Sequence, residues 1–140
     1  MPKKLIKIGL LSDVHNDLEG LRRAMELLAD CDKVMHLGDL VEDATEANAL
    51  VDLLIQHRVE GVIGYHDELA LQVSRQFSDP TRQYLSALPK ELTRGDFYFV
   101  HDNPLSKVKG QGLTNAGGYI RDVYAAQKVF EESAARVLLV

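Results

Sequence analysis

Apolar and polar residues alternate in blocks along the first half of the chain, and these blocks predict strands and helices in turn. Mostly apolar runs at residues 5–11, 33–37 and 59–63 have the length and composition of buried strands. Two segments between these runs carry apolar residues at helical spacing, namely Leu18, Leu21, Met25 and Leu28, then Ala47, Leu50, Val51 and Leu54. This alternation of strand and helix is typical of a parallel sheet with right-handed crossovers.

Polar residues predict where the two helices begin and end. Asn16 followed by Glu19, and Asp43 followed by Glu46, each have the spacing of a capping box. We therefore expect Asn16 to cap the first helix and Asp43 to cap the second. His57 suits the negative C-terminal end of the second helix.

The pattern changes after the third predicted strand. A Gly-rich segment at 110–118 holds four of the ten glycines and predicts a flexible loop. The remaining predicted elements are helices at 68–75, 81–88 and 119–133 and strands at 90–93, 97–101 and 135–140, the first two of these strands forming a hairpin. We expect a single domain over residues 1–140.

Composition and charge narrow the classes of partner and compartment. The chain has 140 residues, 46% hydrophobic and 26% charged, with a formal net charge of -5, which predicts a folded globular domain. The negative net charge and the lack of a Lys/Arg cluster mean that the sequence gives no sign of a basic surface that would bind a nucleic acid. A single cysteine, Cys31, excludes an internal disulfide and fits a reducing compartment. The apolar run near the N-terminus is too short for a membrane span, so we expect a cytoplasmic protein without membrane contact.

Carboxylates and imidazoles follow the predicted strands. The residues concerned are Asp13, His15, Asp39, His66, Asp67 and His101. Ligands of an open parallel sheet collect beyond the carboxyl ends of its strands, so these side chains should share one rim. Mixed carboxylate and imidazole ligands suit a divalent first-row metal such as Mn, Fe or Zn. His36, inside the second strand, is expected to be a core residue instead.

Four segments resemble the signature of the calcineurin-like metallophosphoesterases. They are Leu11-Ser-Asp-Val-His15, His36-Leu-Gly-Asp-Leu40, Gly64-Tyr-His-Asp67 and Val100-His-Asp-Asn-Pro104. The resemblance covers the whole chain and is greatest to the small prokaryotic phosphoesterases. It implies an α/β fold of two packed mixed sheets flanked by helices, with a two-metal site at the strand ends.

The same resemblance implies a role for each of these residues. Asp13 and His15 would bind the first metal ion, Asp39 would bridge both ions, and His101 would bind the second. The ions would be divalent, with Mn preferred over Fe or Zn. The chain would then be a hydrolase that cleaves phosphomonoesters or phosphodiesters through a metal-activated water.

His66 would be the imidazole near the scissile phosphate, and Asp67 would steady it. Two cations about 3.5–4 Å apart neutralise a phosphate and make a nucleophile of bound water at neutral pH. A protonated histidine can then donate a proton to the leaving oxygen.

The chain departs from the family pattern at two positions within these motifs, 65 and 102. Tyr65 stands where the family has an asparagine that ligates the second metal, which predicts a weakened second site because a neutral phenol is a poor ligand. Asp102 stands at a usual glycine. Glu42 lies where purple acid phosphatases place a metal-binding tyrosine, so that subfamily does not fit.

The C-terminal segment also differs from the family pattern. Residues 137–140 are an apolar run at the point where the family strand leads into Gly-His-x-His, whose histidines complete both metal sites. We therefore expect the chain to be part of a longer protein or a truncated variant, with an exposed edge that could form a homo-oligomer.

Two other classes of function compete with the phosphoesterase. A degenerate relative could keep the fold and serve as a binding or scaffold module, which Tyr65 and the missing histidines favour and the intact site residues oppose. A phosphoacceptor receiver domain fits the length but lacks the paired acidic residues after the first strand. The Gly-rich segment is not a P-loop, because Gly118 and Tyr119 replace its lysine and hydroxyl residue.

Overall fold

Strands and helices alternate through the first half of the chain, as the sequence predicts. The computed structural model describes residues 5–101, 123–133 and 135–140. Its elements in chain order are β1 Ile8–Leu11, α1 Leu18–Leu27, β2 Lys33–His36, α2 Ala47–Gln56, β3 Glu60–Gly61, α3 Tyr65–Val73, α4 Asp79–Ala87, β4 Glu91–Arg94, β5 Phe97–Val100, α5 Val123–Ser133 and β6 Val137–Leu139. The predicted loop at 110–118 and the start of the last predicted helix, at 119–122, lie outside the described residues.

The first sheet contains β1, β2 and β3 in that order, and all three strands are parallel. β1 and β2 pair along their whole length, whereas the short β3 pairs only with the last two residues of β2. The predicted parallel sheet is confirmed. Its first and third strands are shorter than the apolar runs at 5–11 and 59–63.

The second sheet contains β4, β5 and β6 and is mixed. β4 and β5 form the predicted antiparallel hairpin, with Gly95 in the left-handed conformation at φ 58° in its turn. β6 lies parallel to β5 on the other side. Leu92, Phe99 and Leu139 are register partners across the three strands and therefore share one face of the sheet.

The two sheets meet in a small apolar core. Met35, Leu37, Val62 and Phe99 are all buried in it, and Leu92 and Leu139 of the second sheet pack against them. Successive residues of a strand point to opposite faces. Met35 accordingly faces the second sheet, whereas its neighbour Val34 packs with the helices.

A larger core lies between the first sheet and the helices. Its buried members include Leu21 and Met25 of α1, Leu50, Val51 and Leu54 of α2, Ala70 of α3 and Leu85 of α4. These include residues of both predicted helical stripes. The α/β fold with two sheets flanked by helices is thereby confirmed. Within the described part of the chain, no helix has the length and apolar character needed to cross a membrane.

Helix α1 begins one residue later than predicted. Asp17, and not Asn16, is its N-cap, because the Asp17 carboxylate accepts a hydrogen bond from the Gly20 N–H at 2.8 Å. The Asn16 side chain instead faces the loop after β2. There its amide nitrogen donates to Asp43 Oδ1 at 2.6 Å and its oxygen accepts from the Glu42 N–H at 3.2 Å.

The predicted capping box of α2 is also wrong. Asp43 accepts a hydrogen bond from the Thr45 N–H at 2.6 Å and so closes a short turn ahead of the helix. Glu46 is the N-cap residue, in a left-handed conformation at φ 55°, and its side chain makes no capping hydrogen bond. Asp43 is held in this turn because Asn16 donates to the same oxygen.

Helix α3 begins earlier than the predicted residue 68. Gly64 is its N-cap, and Tyr65, His66 and Asp67 form its first turn. The Gly64–Asp67 segment is therefore the start of a helix immediately after the third strand. This arrangement directs His66 back towards the ends of β1 and β2.

Candidate metal centre

The loops after β1 and β2 are joined by backbone hydrogen bonds. The N–H groups of Asp13 and His15 donate to the carbonyls of Gly38 and Asp39, each at 3.1 Å. Asp13, His15 and Asp39 all have left-handed backbone conformations, with φ of 55°, 46° and 53°. Such conformations cost roughly 1–3 kcal/mol each for residues other than glycine and are concentrated at functional sites. The fold holds the three strained residues side by side.

Two glycines allow the third loop to approach this pair. A Cβ on Gly64 would lie 2.2 Å from both the backbone nitrogen and Oδ1 of Asp39. A Cβ on Gly38, whose φ is 99°, would lie 2.6 Å from the Gly64 nitrogen. Only glycine fits at either position, so the loop around Asp39 touches the start of α3 directly.

Asp39 is the centre of the site. Its side chain is nearly buried, and Oδ1 accepts a hydrogen bond from the His66 N–H at 2.9 Å. The other oxygen, Oδ2, lies 3.2 Å from His101 Nε2 and 3.9 Å from His15 Nε2. One carboxylate thus faces residues from three other segments of the chain.

His101 has a defined orientation and tautomer. Its Nδ1 lies 2.8 Å from the carbonyl oxygen of Leu37, which can only accept a hydrogen bond. Nδ1 therefore carries a proton, which leaves Nε2, the nitrogen that faces Asp39, as the atom that would bind a metal ion. Metal-ligating histidines in proteins are held in the same way.

The ligand atoms of Asp13, Asp39 and His101 all lie within 4.8 Å of one another. Two carboxylates and one imidazole are a donor set for a divalent first-row ion. The Ser12 hydroxyl donates to Asp13 Oδ2, and the Asp13 Oδ1 atom lies 3.6 Å from His15 Nε2. The residues present therefore fit the metal that the sequence predicts.

His15, Glu42 and His66 form a second group of ligand atoms within 4.8 Å of one another. Glu42 Oε1 lies 3.0 Å from His15 Nδ1. The rings of His15 and His66 pack edge to face, with their centroids 5.1 Å apart. His15 thus lies between the two groups, with one ring nitrogen towards each.

The Asp67 carboxylate binds backbone N–H groups, whereas the sequence predicts that it steadies the His66 imidazole. It is fully buried, and it accepts hydrogen bonds from the N–H groups of Leu40, Val41 and Gly64 at 2.8, 3.0 and 3.0 Å. Burial raises the pKa of this carboxyl, and the three N–H donors act in the opposite direction. These contacts fix the loop after β2 to the start of α3. Asp67 therefore positions the backbone of His66, and the expectation that it steadies the imidazole is not what these contacts show.

Tyr65 lies at the margin of the site. Its side chain is 60% exposed, and its ring packs edge to face on that of His66 at 5.6 Å. The other unusual residue, Asp102, lies outside the described part of the chain.

The family follows from comparison with known proteins. Residues 6–137 match the family described as the calcineurin-like phosphoesterase superfamily domain. The chain belongs to this superfamily. The resemblance seen in the four sequence motifs is thereby confirmed.

Solved structures agree with the phosphoesterase fold. The chain is similar to a metallophosphoesterase from Sphaerobacter thermophilus, with 25% identity and a TM-score of 0.62, over 72% of this chain and 49% of that one. A proposed diadenosine tetraphosphatase shares the fold, with 23% identity and a TM-score of 0.57, over 71% of this chain and 51% of that one. The chain thus spans about half the length of these two proteins. Comparison with curated proteins gives no match.

Two residues at this site contribute contacts that the sequence does not predict. Glu42 faces His15, and Asn16 connects the loops that carry the two. The only sequence signal for Glu42 is its position three residues after Asp39, where some relatives have a metal-binding tyrosine. The spacing of Asn16 and Glu19 predicts a helix cap, and not the contact with the loop after β2.

An open cavity of about 230 Å³ adjoins Asp13 between β1 and α1. Its lining includes Ser12, Asp13 and Asp17 as well as the apolar Leu11 and Leu21. Asp13 therefore borders an open space on the α1 side of the candidate site.

Proposed function

We propose that this phosphoesterase hydrolyses phosphomonoesters or phosphodiesters with the help of two divalent ions, manganese first among them. The observation that carries the proposal is the position of Asp39 Oδ2, which faces Nε2 of both His15 and His101. Asp13 completes the set on the neighbouring loop. The strained loops and the buried Asp67 anchor keep these groups together.

Divalent ions at such a site neutralise the charge of the phosphate and lower the pKa of a coordinated water. Asp39 is the residue suited to hold two ions, because its carboxylate faces ligands from both sides. His101 is preorganised for the task by its hydrogen bond to Leu37, and His15 by the left-handed turn that carries it.

His66 is the residue of this chain suited to move a proton. Its backbone N–H donates to Asp39, and its ring packs edge to face on that of His15 at 5.1 Å, so its imidazole lies beside the residues that would hold the ions. A protonated imidazole there can donate to the leaving oxygen of the ester, a contribution typically worth 10²–10⁴-fold in rate. Asp67 acts on His66 through the backbone of the first turn of α3.

Asp39→Asn is the variant that tests the assignment. An amide keeps the shape of the side chain, tolerates the left-handed backbone and can still accept the His66 N–H. It lacks the charge needed to hold two cations, so we expect Mn²⁺ binding and hydrolysis to be lost together. Mn²⁺ bound is counted by electron paramagnetic resonance, and hydrolysis is followed on generic mono- and diester substrates.

Asp52→Asn is the matched control, because Asp52 is an exposed carboxylate on α2. It should leave both measurements unchanged. Full Mn²⁺ content in the Asp39→Asn protein would contradict the bridging role of Asp39. A parent protein that folds, binds Mn²⁺ and hydrolyses neither ester class would favour the scaffold alternative, to which the tyrosine at position 65 points.

A further inference from the structure

Glu42 has no part in the proposed reaction, yet it lies in a group of potential metal ligands. His15, Glu42 and His66 come from the loop after β1, the loop after β2 and the first turn of α3. Their ligand atoms lie within 4.8 Å of one another, separately from the group formed by Asp13, Asp39 and His101.

The His15 Nδ1 atom is the main evidence that this group binds something. It is buried and makes no hydrogen bond within the described part of the chain, although Glu42 Oε1 is only 3.0 Å away. The carboxylate is therefore close to the nitrogen but in the wrong direction to accept its proton. Two ligand atoms of a tetrahedral zinc ion, each with a bond of about 2.1 Å, are about 3.4 Å apart, so this pair needs to open by only about 0.4 Å to hold one.

The backbone around the three side chains is fixed by other contacts. The Glu42 N–H donates to the Asn16 side chain, next to His15. The His66 N–H donates to Asp39. The three ligands are thus held in place by bonds that an ion would not need to break, and Glu42 remains half-exposed, so an ion has a route to it.

We propose that His15, Glu42 and His66 form a binding site for a divalent ion of intermediate softness, such as Zn²⁺. Two imidazoles and one glutamate with an open position are a zinc donor set, whereas manganese prefers oxygen ligands. His15 would bind through Nδ1. An ion held there occupies the His66 imidazole, so it would inhibit hydrolysis by removing the proton donor, and this last consequence rests on the proposed function.

Zinc titration by calorimetry in the Asp39→Asn background tests the site itself. Asp39→Asn weakens the neighbouring group but keeps an acceptor for the His66 N–H, so one zinc ion per chain should still bind. Adding Glu42→Gln should lower the affinity for that zinc ion at least tenfold. Adding Glu26→Gln, an exposed residue of α1, should change nothing. Equal zinc binding with and without Glu42→Gln would overturn the proposal.

Imidazole ¹⁵N spectra in the Asp39→Asn background identify the ligand atoms. We expect zinc to shift Nδ1 of His15 and a ring nitrogen of His66, and Glu42→Gln to reduce both shifts at the same zinc concentration. Binding through His15 Nε2 with Nδ1 still protonated would also overturn the proposal, because the ion would then lie on the Asp39 side of the ring and not beside Glu42.

Inhibition is measured separately, on Mn²⁺-supported hydrolysis. Zinc should inhibit the parent protein, and Glu42→Gln should need at least tenfold more zinc for half inhibition relative to its own zinc-free rate. Equal sensitivity would contradict the inhibitory role. A parent without any hydrolysis would contradict the proposed function instead, and the titration and the spectra would still decide whether the zinc site exists.

Discussion

At the scale of single residues, His36 shows how burial changes the chemistry of a side chain. It is fully buried at the end of β2, and its Nε2 lies 3.0 Å from the hydroxyl of Tyr84. That hydroxyl donates to the Val59 carbonyl at 2.8 Å, so it accepts the proton of Nε2. Nδ1 has no hydrogen-bond partner among the described residues. The expected structural role of His36 agrees with this burial.

The stability of the protein should fall in mild acid because of His36. Burial lowers its pKa from 6.5 to about 4. Between pH 6.5 and 4 the unfolded chain therefore binds a proton at His36 that the folded chain does not bind. The contribution of His36 to the free energy of unfolding is fully present above pH 6.5 and is lost as the pH falls to 4. The loss should be about 3 kcal/mol. The measurement is the free energy of unfolding in urea at several pH values.

His36→Gln is the control for this prediction. Its amide can still donate to Tyr84 but does not titrate, so the fall in stability over this pH range should be smaller by about 3 kcal/mol. The comparison uses the slope with pH, and a general loss of stability from the substitution does not affect it. Equal slopes in the two proteins would show that His36 titrates normally in the fold.

At the scale of elements, the end of α2 shows a helix stop made without glycine. The Val59 N–H donates to the Leu54 carbonyl at 2.9 Å and the Arg58 N–H to the Ile55 carbonyl at 3.0 Å, which is the Schellman pattern. Arg58 occupies the left-handed position of that pattern, with φ 54°. Glycine is the usual residue there, because a Cβ costs roughly 1–2 kcal/mol in this conformation.

Arg58→Gly should therefore stabilise the protein by up to about 1 kcal/mol, since relief of the strained backbone outweighs the greater freedom of glycine in the unfolded chain. The expected observation is a higher urea midpoint with an unchanged slope. Arg22→Gly, at an exposed position inside α1, is the opposite control and should cost about 1 kcal/mol. A loss of stability in Arg58→Gly would mean that the arginine side chain contributes more than its backbone strain costs.

At the scale of the whole molecule, the site depends on how the two sheets pack. His101 follows β5 of the second sheet, whereas Asp13 and Asp39 follow strands of the first. Phe99, two residues before His101, is fully buried between the sheets beside Met35 and Val62. The side chains of this small core therefore set the distance between His101 and Asp39.

Phe99→Ala should cost about 3–5 kcal/mol, because a large cavity would open in the core between the sheets. It should also weaken Mn²⁺ binding, since His101 would no longer be held against Asp39. Phe97→Ala on the same strand is the control, because that ring is 37% exposed and should contribute less to both properties. Unfolding in urea and Mn²⁺ titration check the two effects, and normal Mn²⁺ affinity in a folded Phe99→Ala protein would contradict the link.

The sequence by itself determined the elements, the fold class and the family. Hydrophobic patterns are local properties, so the helical stripe around Leu21 and the apolar run around Met35 were visible without coordinates. The positions of Asp13, Asp39 and His101 after predicted strands were visible for the same reason. Parallel strands bring their carboxyl ends to one edge, and that rule predicts that Asp13 and Asp39 meet. The position of His101 depends on the packing of the second sheet against the first.

Only the tertiary structure decided which partner each polar side chain takes. Asn16 has the spacing of a cap but binds the loop after β2, and Asp67 binds three backbone N–H groups instead of an imidazole. Hydrogen bonds of these kinds have similar net free energies, about 1 kcal/mol, so the choice among partners depends on which groups the packed loops bring within 3 Å. The contact between Glu42 and His15 arises in the same way. Residues 27 positions apart meet there because Gly38 and Gly64 let three loops approach more closely than any side chain would allow.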